Sequence, residues 1–329
     1  MKIAVVGATG LVGRQMITVL EERGVACSEL IPVASERSVG KSLSFHGKPV
    51  SIVSLQQALS MEPDYALFSA GSGISLEYAE QFNNQGCCVI DNSSAWRMDQ
   101  NVPLIIPEVN GYLLTGHEPL IANPNCSTIQ LLVALAPIHR SFGIRRMVVV
   151  TFQSVSGAGK KGYDQWMGEL KGNENRPKAF PHPIHGNIIP QCDSFESDDF
   201  TKEEHKLIRE SKKILNDFSI LIAPTCTRVP VAIGHSEAVT CELFRPFEIQ
   251  QLLETFQKAP GVTVFDNPEN GAYPMPLDVA GNDEVFVGRV RRDNTQTHGF
   301  HCWIVGDNLR KGAATNAVQI LELMIKKSS

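Results

Sequence analysis

The first third of the chain alternates short, continuous apolar runs with segments of helical periodicity. The runs lie at 2–6, 29–33, 64–70 and 87–91. Runs of this kind are typical of strands that are buried on both faces of a parallel sheet. Helical patterns at 11–23 and near 75–85 lie between them. This rhythm predicts an α/β fold in which right-handed crossovers connect the strands.

The pattern changes after residue 125. A helical pattern runs from 126 to about 140, and 145–152 predicts a long strand. Further strand candidates, several of which alternate polar and apolar residues, lie at 219–223, 236–244, 284–292 and 299–306. Further helical patterns fall at 160–170, 201–215 and 246–258. Alternation favours a sheet with one solvated or partner-facing side, so this part is predicted to be an α+β domain.

These two patterns predict two domains, 1–125 and 126–308. A last helical pattern at 309–326 favours a C-terminal helix, and we expect 309–329 to complete the first domain. The stretch 171–187 is rich in Pro, Asn and Gly and is expected to be a surface loop.

Composition narrows the class of protein. The chain has 329 residues, of which 43% are hydrophobic, enough to bury two cores, and its net charge of −5 disfavours a nucleic-acid partner. No apolar stretch approaches the roughly 18 residues that span a bilayer, and the apolar start is too short for a signal peptide. Eight cysteines form no C-x-x-C pair, and Cys and His lack ligand spacing, so no metal is expected. Reduced thiols and a cytoplasmic location are expected.

A glycine-rich turn, GATGLVG, follows the first apolar run. Gly7 permits a tight turn, Gly10 lets backbone approach a pyrophosphate, and Gly13 allows close helix–strand contact. The helix that follows offers free N–H groups to phosphates. The turn therefore predicts a dinucleotide site, with a purely structural glycine turn as the alternative. FSAGSGIS, at 68–75, suits either a loop over the cofactor or a plain turn.

The end of the second predicted strand bears on cofactor choice. NAD-binding proteins usually carry an acidic residue there for the ribose 2′-hydroxyl. Here Ser35, Arg37 and Ser38 are present, with Lys41 nearby. Glu36 is the one acidic residue among them, and its negative charge disfavours a phosphate. The other groups favour the 2′-phosphate of NADP, unless they form only a polar surface loop.

Cys126 lies where a helical pattern begins, in NPNCST. Pro124 and Asn125 do not suit a helix interior, whereas Ser127 and Thr128 are typical of a first turn. A thiol at this place would have a lowered pKa and N–H groups beside it that stabilise an oxyanion. The alternative is that Cys126 is a small buried side chain that only packs in the core.

A cysteine nucleophile needs an acid or base within reach. His235 begins a predicted strand in TCTRVPVAIGHSEAV, and Arg228 stands seven positions earlier. We expect both on one irregular β-hairpin that faces a common cleft. The alternative is that His235 has a structural role and takes no part in catalysis.

Seven segments, taken in this order, resemble the aspartate-semialdehyde dehydrogenase family. They are GATGLVG, SAGSG, DNSSAWR, NPNCST, QSVSGAG, TRVPVAIGHSE and DNLRKGAA. The resemblance extends from Gly7 to about Asn316. It implies a Rossmann-type domain and an α+β catalytic and dimerisation domain, an architecture similar to that of glyceraldehyde-3-phosphate dehydrogenase.

The resemblance implies roles for single residues. Cys126 corresponds to the family's nucleophile, with Asn125 beside it in the substrate site. His235 corresponds to its acid/base and Gln153 to its active-site glutamine. Arg228 corresponds to the arginine that binds the substrate carboxylate.

An E-x-x-K pair and a further arginine complete the implied substrate site. Glu203 would meet the substrate ammonium, while Lys206 and Arg97 would bind phosphate. His205 departs from the apolar or aromatic residue usual before this lysine. Positions i and i+3 still share a helix face, so we expect Glu203 and Lys206 to remain in contact.

The implied cofactor is NADP. Its site would comprise Gly7, Thr9, Gly10, Leu11, Val12, Gly13, Ser35, Arg37, Ser38, Ser69, Gly71, Ser156, Gly157 and Asn308. The family also implies a homodimer or homotetramer.

The implied reaction is the reversible, NADPH-dependent reductive dephosphorylation of 4-phospho-L-aspartate to L-aspartate 4-semialdehyde through a cysteine thioester. It feeds lysine, threonine and methionine synthesis. Two alternatives stay open, N-acetyl-gamma-glutamyl-phosphate reductase and a dinucleotide-binding regulatory protein without turnover. A carboxylate at Glu203, placed for a free ammonium, argues against the reductase.

Overall fold

The computed structural model describes residues 1–173 and 178–328, so part of the expected loop at 171–187 lies outside the described residues. The strands are β1 Lys2–Val6, β2 Glu29–Val33, β3 Ser42–Phe45, β4 Lys48–Ser51, β5 Tyr65–Phe68, β6 Cys88–Asp91, β7 Leu120–Ala122, β8 Ile144–Gln153, β9 Leu221–Arg228, β10 His235–Leu243, β11 Val262–Val264, β12 Val285–Asp293 and β13 Gly299–Gly306. The helices are α1 Leu11–Glu22, α2 Leu55–Ser60, α3 Ser72–Asn83, α4 Pro107–Asn110, α5 Cys126–Phe142, α6 Gly159–Leu170, α7 Lys202–Leu215, α8 Ile249–Lys258, α9 Pro276–Val279 and α10 Thr315–Ser328. Across these residues, none of the helices combines the length and apolarity that a bilayer span requires.

The chain divides into two compact units, residues 1–125 with 313–329, and residues 126–312. The first unit contains a five-stranded sheet in the order β2-β1-β5-β6-β7, and all its pairings are parallel. The sheet is buried on both faces, which explains the continuous apolar runs: Ile3, Ala4 and Val5 are fully buried. The predicted parallel sheet is confirmed.

The helix α10 belongs to the core of the first unit. It packs against α1 and α4. Ala317 and Leu321 are fully buried in the same cluster as Met16 and Leu20 of α1. A π-helix, Arg310–Ala314, precedes α10, so the helical pattern from 309 onward is not one regular helix.

The second unit is built on a six-stranded mixed sheet in the order β11-β12-β13-β10-β8-β9. The helix α5 packs against α7, α8 and four strands of this sheet, and most of its side chains are buried. Along β10, buried residues alternate with half-buried ones. One face is therefore covered by helices and the other is more open, as the alternating sequence predicts.

The expectation that Arg228 and His235 share a hairpin is wrong. β9 pairs with β8 in parallel, and β10 pairs with β8 antiparallel, so β8 lies between them. The connecting segment passes the end of β8, where the N–H of Val155 donates to Val231 O at 2.8 Å. A hairpin would require adjacent strands, and this crossing satisfies the backbone groups without one.

Candidate active site

Three predicted site residues meet at one edge of the mixed sheet. Gln153 ends β8 and pairs in register with Arg228, which ends β9. His235 begins β10, which runs the other way, so it reaches the same edge. All three side chains are buried, with 1%, 6% and 0% exposure respectively. The sheet topology brings them together although no two are adjacent in sequence.

His235 is bound on one side of its ring only. Its Nδ1 lies 3.0 Å from the Ser154 backbone nitrogen and 3.0 Å from Ser154 Oγ. Its Nε2 is buried and has no hydrogen-bond partner among the described residues. Burial, and then the positive charge of Arg228, lower the pKa of His235 to about 3, although Glu203 opposes this. The imidazole is therefore neutral near pH 7.

Arg228 and His235 both approach the main chain closely at Gly157. Arg228 Nη1 donates to Ser154 O at 2.8 Å, and its guanidinium lies 5.7 Å from the centroid of the Phe180 ring. A Cβ on Gly157 would lie 2.7 Å from Arg228 Nη1 and 2.9 Å from His235 Nε2. The absence of a side chain at Gly157 thus lets the main chain approach both groups closely, and a larger residue there would displace them.

Glu203 and Lys206 lie together in the first turns of α7. A capping box between Thr201 and Glu204 fixes where this helix begins. Lys206 Nζ is 3.0 Å from Glu203 Oε2 and 2.8 Å from Asp193 Oδ2. Burial opposes the charge of Lys206, but these two carboxylates raise its pKa. The i, i+3 pair therefore forms.

The unusual His205 takes part in a separate, partly exposed group. Its Nε2 lies 3.1 Å from Asp198 Oδ2 and 3.3 Å from Glu196 Oε2. The departure from the family pattern therefore leaves the contact between Glu203 and Lys206 intact.

Cys126 is the first residue of α5 and is partly exposed. A Cβ on Gly312 would lie 3.0 Å from Cys126 Cβ, so glycine permits this close approach. Burial raises the pKa of the neighbouring Cys192 to about 12, and the charges that also act on Cys192 include Arg228, Glu203 and Cys126. Cys126, Arg228 and Glu203 therefore each lie within electrostatic range of Cys192.

The other cysteines differ from Cys126 in their surroundings. Burial raises the pKa of Cys87, Cys88, Cys226, Cys241 and Cys302. All eight cysteines lie in the described part of the chain, and none is in a disulfide. Buried thiols are poor nucleophiles, whereas Cys27 and Cys88 are partly exposed like Cys126 but do not begin a helix.

Asn308 connects the segments around His235. Its Oδ1 accepts from the N–H of Gly234 at 2.9 Å and from Ser154 Oγ at 3.0 Å, and its Nδ2 donates to Ser156 Oγ at 3.0 Å. Ser154, Asp193 and Cys192 were not predicted as site residues. Ser154 lies in the QSVSGAG segment but its contact with His235, 81 positions away, is not visible there, and Cys192 and Asp193 lie in none of the quoted segments.

In the first unit, the glycine-rich turn has the geometry of a phosphate-binding loop. Gly7 has φ +92°, and a Cβ there would lie 2.5 Å from Ser69 O. A Cβ on Gly13 would lie 2.1 Å from Gly7 O. The helix α1 begins at Leu11 directly after Gly10, which has no side chain to cap it. The N–H groups of its first turn are therefore oriented for an anion.

The other predicted residues of the first unit lie near the ends of strands. Ser35 precedes a 3₁₀ turn, Glu36–Ser38, that follows β2, and Arg37 is exposed. Arg97 is buried, and its Nε and Nη2 donate to Asn123 O and Asn92 O, both at 2.9 Å. The Arg97 side chain is therefore held by main-chain carbonyls rather than solvated.

The predicted site residues are divided between the two units. The first unit contains Gly7, Thr9, Gly10, Leu11, Val12, Gly13, Ser35, Arg37, Ser38, Ser69, Gly71, Arg97 and Asn125. The second contains Cys126, Gln153, Ser156, Gly157, Glu203, Lys206, Arg228, His235 and Asn308. Their roles in binding and catalysis stay predictions.

Comparison with known proteins decides the family. Residues 2–117 match the NAD binding domain of semialdehyde dehydrogenases, and residues 135–311 match their dimerisation domain. The chain is 49% identical over 334 residues to the aspartate-semialdehyde dehydrogenase of Aquifex aeolicus (strain VF5), with 99% of this chain and 98% of that protein covered. The chain belongs to the aspartate-semialdehyde dehydrogenase family. It is therefore an oxidoreductase of amino-acid biosynthesis with an NAD(P)-binding domain.

Solved structures of aspartate-semialdehyde dehydrogenases share this fold. Aspartate semialdehyde dehydrogenase II of Vibrio cholerae, solved in complex with ASA, matches with a TM-score of 0.94 at 44% identity, covering 99% of this chain and 98% of that one. The enzyme of Candida albicans, at 24% identity and a TM-score of 0.78, shares the fold, with 99% and 98% covered. The predicted fold class, with its two domains of glyceraldehyde-3-phosphate dehydrogenase type, is confirmed.

Proposed function

We propose that the protein catalyses the reversible, NADP-dependent reductive dephosphorylation of 4-phospho-L-aspartate to L-aspartate 4-semialdehyde, with Cys126 as the nucleophile. The family membership supports the reaction. The observation that carries its assignment to these residues is the meeting of Gln153, Arg228 and His235 at the ends of three neighbouring strands, where Gln153 also donates to Glu203. Gln153, Glu203 and Cys126 belong to the same unit.

The charges of the site suit a small amino acid with an activated carboxyl group. Arg228 would bind the α-carboxylate through two parallel hydrogen bonds. Glu203 would balance the α-ammonium. Arg97 and Lys206 would bind phosphate, and Lys206 would then partly exchange its contacts with Glu203 and Asp193 for the phosphate oxygens.

The covalent route divides one difficult step into two easier ones. The Cys126 thiolate attacks the acyl carbon, the bond from that carbon to the phosphate oxygen breaks, and a thioester remains. NADPH, when bound, supplies the hydride that reduces this thioester. The C–S bond of the resulting thiohemiacetal then breaks, which releases the aldehyde and restores the thiolate. Gln153 would hold the reacting carbonyl in line.

The residues of the first unit fit a dinucleotide. Gly7 and Gly13 let the turn pack closely on neighbouring main chain, Gly10 would let the backbone approach a pyrophosphate, and the start of α1 supplies N–H donors. Ser35, Arg37 and Ser38 would bind the 2′-phosphate, which favours NADP over NAD. Ser69 and Gly71 would line the same site.

Three residues of the second unit would also contact the cofactor, namely Ser156, Gly157 and Asn308. The Asn308 side chain already donates to Ser156 Oγ at 3.0 Å, so the two groups share one hydrogen-bonded cluster. This cluster also includes Ser154, the residue that contacts His235.

The second unit would form a homodimer, or a homotetramer built from dimers. It matches a dimerisation domain, and the face of its sheet opposite α5 carries half-buried residues such as Ala238 and Thr240. Light scattering after size exclusion measures the molecular mass directly. A monomer at micromolar concentration would contradict this part of the proposal. A cytosolic location stays a prediction.

The decisive experiment is phosphate-dependent reduction of NADP with L-aspartate 4-semialdehyde. We expect turnover that requires inorganic phosphate and is slower with NAD. Activity with N-acetylglutamate semialdehyde instead would identify the alternative reductase. No turnover with either substrate, together with cofactor binding, would identify a regulatory protein.

A further inference from the structure

A segment outside the helices and regular strands, residues 179–189, contacts Arg228 near both of its ends. Close to its start, the ring of Phe180 lies over the guanidinium, with its centroid 5.7 Å from Arg228 Cζ. At its end, the N–H of Ile189 donates to Arg228 O at 3.0 Å, and Ile189 O accepts from the Arg228 N–H at 2.8 Å. The segment therefore packs against the arginine that is proposed to bind the substrate carboxylate.

Gln165, a buried side chain of α6, binds the start of this segment. Its Oε1 accepts from the N–H groups of Ala179 and Phe180, at 2.6 and 2.9 Å. Its Nε2 donates to His182 O at 3.3 Å and to Glu169 Oε1 at 2.8 Å. One amide thus satisfies three main-chain groups in a stretch that forms neither helix nor strand. Because Glu169 holds this amide in turn, the main chain at Phe180 is fixed relative to α6.

Glu169 and Gly162 complete the contact between α6 and the segment. The second oxygen of Glu169, Oε2, accepts from the N–H groups of Ile184 and His185, at 2.8 and 2.7 Å. A Cβ on Gly162 would lie 2.9 Å from Phe180 Cζ, so the helix has a glycine where the tip of the ring packs. The position of the Phe180 ring is therefore set by three residues of one helix.

Arg228 has few protein partners for a buried charge. Its side chain belongs to a residue that is only 6% exposed. Nη1 donates to Ser154 O at 2.8 Å, whereas Nε is buried and has no partner among the described residues. A buried cation is costly unless its donors are paired or its face lies on an aromatic ring. The Phe180 ring provides the second kind of contact, and Nε is a donor that a ligand carboxylate would satisfy.

We propose that Phe180 determines how tightly the substrate α-carboxylate binds, by holding its ring over the guanidinium of Arg228, and that Gln165 and Glu169 are positioning residues for this ring. The proposal rests on the function proposed above, which assigns the carboxylate to Arg228. The ring stabilises the cation without using any of its N–H donors, and it restricts rotation of the guanidinium plane. Arg228 is therefore oriented before the substrate arrives, so less conformational entropy is lost on binding.

Phe180→Leu removes the ring and keeps an apolar side chain against Val155 and Ile184. We expect the KM for L-aspartate 4-semialdehyde to rise about five- to tenfold, with kcat changed by less than about twofold and the Kd for NADPH unchanged. The matched control is Phe218→Leu, at a 70% exposed phenylalanine, which should leave these constants unchanged. An unaltered KM in Phe180→Leu, or a loss confined to kcat, would refute the role of Phe180.

A fluorinated ring separates electrostatic stabilisation from packing. Replacing Phe180 by 3,5-difluorophenylalanine keeps the shape of the ring tip beside Gly162 and weakens the negative charge on the ring face. We expect the KM for L-aspartate 4-semialdehyde to rise about twofold or more, towards the value of Phe180→Leu, with kcat unchanged. A KM equal to that of wild type would mean that the ring only packs, and the proposal would be wrong.

Gln165→Leu and Glu169→Gln test the positioning roles. Each should raise the same KM, and combining either with Phe180→Leu should give no increase beyond that of Phe180→Leu alone. Urea unfolding checks that the variants fold. Glu169→Gln keeps an acceptor for both main-chain N–H groups and loses only the charge, so it tests the role even where Gln165→Leu does not fold. Additive increases would overturn the positioning roles.

The contact can also be observed without turnover. In protein labelled with ¹⁵N-arginine, the Nε–H signal of Arg228 is assigned by its loss in Arg228→Lys. A proton over an aromatic face is shielded, so this signal should move downfield in Phe180→Leu, and an unmoved signal would refute the contact. A wild-type protein without phosphate-dependent turnover would refute the proposed function, while this shift would still test the contact. Normal wild-type turnover with an unaltered KM in Phe180→Leu would refute only the role of Phe180.

Discussion

Gln153 Nε2 donates to Glu203 Oε1 at 3.1 Å, which joins the end of β8 to the first turn of α7. Both side chains are buried, and the other Glu203 oxygen pairs with Lys206. The glutamine proposed to orient the carbonyl and the carboxylate proposed to bind the ammonium are therefore held in one geometry. Because the two side chains are in contact, the effects of substituting Gln153 and Glu203 should not be additive.

Glu203→Gln keeps the shape of the side chain and removes its charge. We expect the KM for L-aspartate 4-semialdehyde to rise at least about tenfold, because the buried ammonium loses its counter-charge. Steady-state kinetics that separate kcat from KM measure this. Glu254→Gln, on the exposed face of α8, is the matched control and should leave both constants unchanged. An unaltered KM in Glu203→Gln would remove this residue from the substrate site.

Cys126→Ser should lose turnover by at least about a thousandfold, because an alcohol at a helix start is not ionised and its ester is a poor hydride acceptor. NADPH binding, followed by fluorescence titration, should be retained. Cys27→Ser, at a half-buried thiol of the first unit, is the control. Near-normal turnover in Cys126→Ser would rule out the covalent route.

Arg228→Lys tests the recognition of the α-carboxylate. A lysine keeps the charge but not the two parallel donors, and it also loses the contact with Ser154 O. We expect the substrate KM to rise by about tenfold or more, with the Kd for NADPH unchanged. A parallel loss of cofactor affinity would instead indicate a general disturbance of the unit.

Much of this architecture follows from the sequence, and the exceptions have physical causes. The alternation at 299–306 predicted β13 with the bounds observed. The β3–β4 hairpin was missed because its two-residue turn is His46-Gly47, in which His46 has φ 49° in place of the usual Asn or Asp. The placement of His235 beside Ser154, 81 positions away, depends on the order of strands. Local periodicity carries no information about that order, which is also why the predicted hairpin of Arg228 and His235 was wrong.

Arg37→Ala tests the preference for NADP. Arg37 is exposed in the turn after β2, where it would pair with the 2′-phosphate. We expect the ratio of kcat/KM for NADP to that for NAD to fall at least about tenfold, mainly through the KM for NADP. Glu36→Gln, its neighbour, should leave the ratio the same or shift it towards NADP. An unchanged ratio in Arg37→Ala would place the 2′-phosphate elsewhere.

Glu237 should make the stability of the protein depend on pH. The side chain is fully buried, and neither carboxyl oxygen has a partner within hydrogen-bond geometry among the described residues. Burial raises its pKa well above the ordinary value of 4.5, and the nearby Gln130 amide offsets only part of this. The folded protein therefore keeps a proton that the unfolded chain releases above about pH 4.5. The free energy of unfolding must then fall as pH rises from that value, by about 1.4 kcal/mol per pH unit from this group alone.

Glu237→Gln removes this titration while keeping the shape and a donor for Gln130 Oε1, which also has no partner among the described residues. We expect wild type to lose stability relative to Glu237→Gln as pH rises from about 5 to 8, measured by urea unfolding at each pH. The exposed Glu254→Gln should follow the wild-type slope. Parallel curves for wild type and Glu237→Gln would mean that Glu237 has the same pKa in both states. The buried carboxyl would then have to be charged and solvated in the folded protein, which its surroundings do not allow.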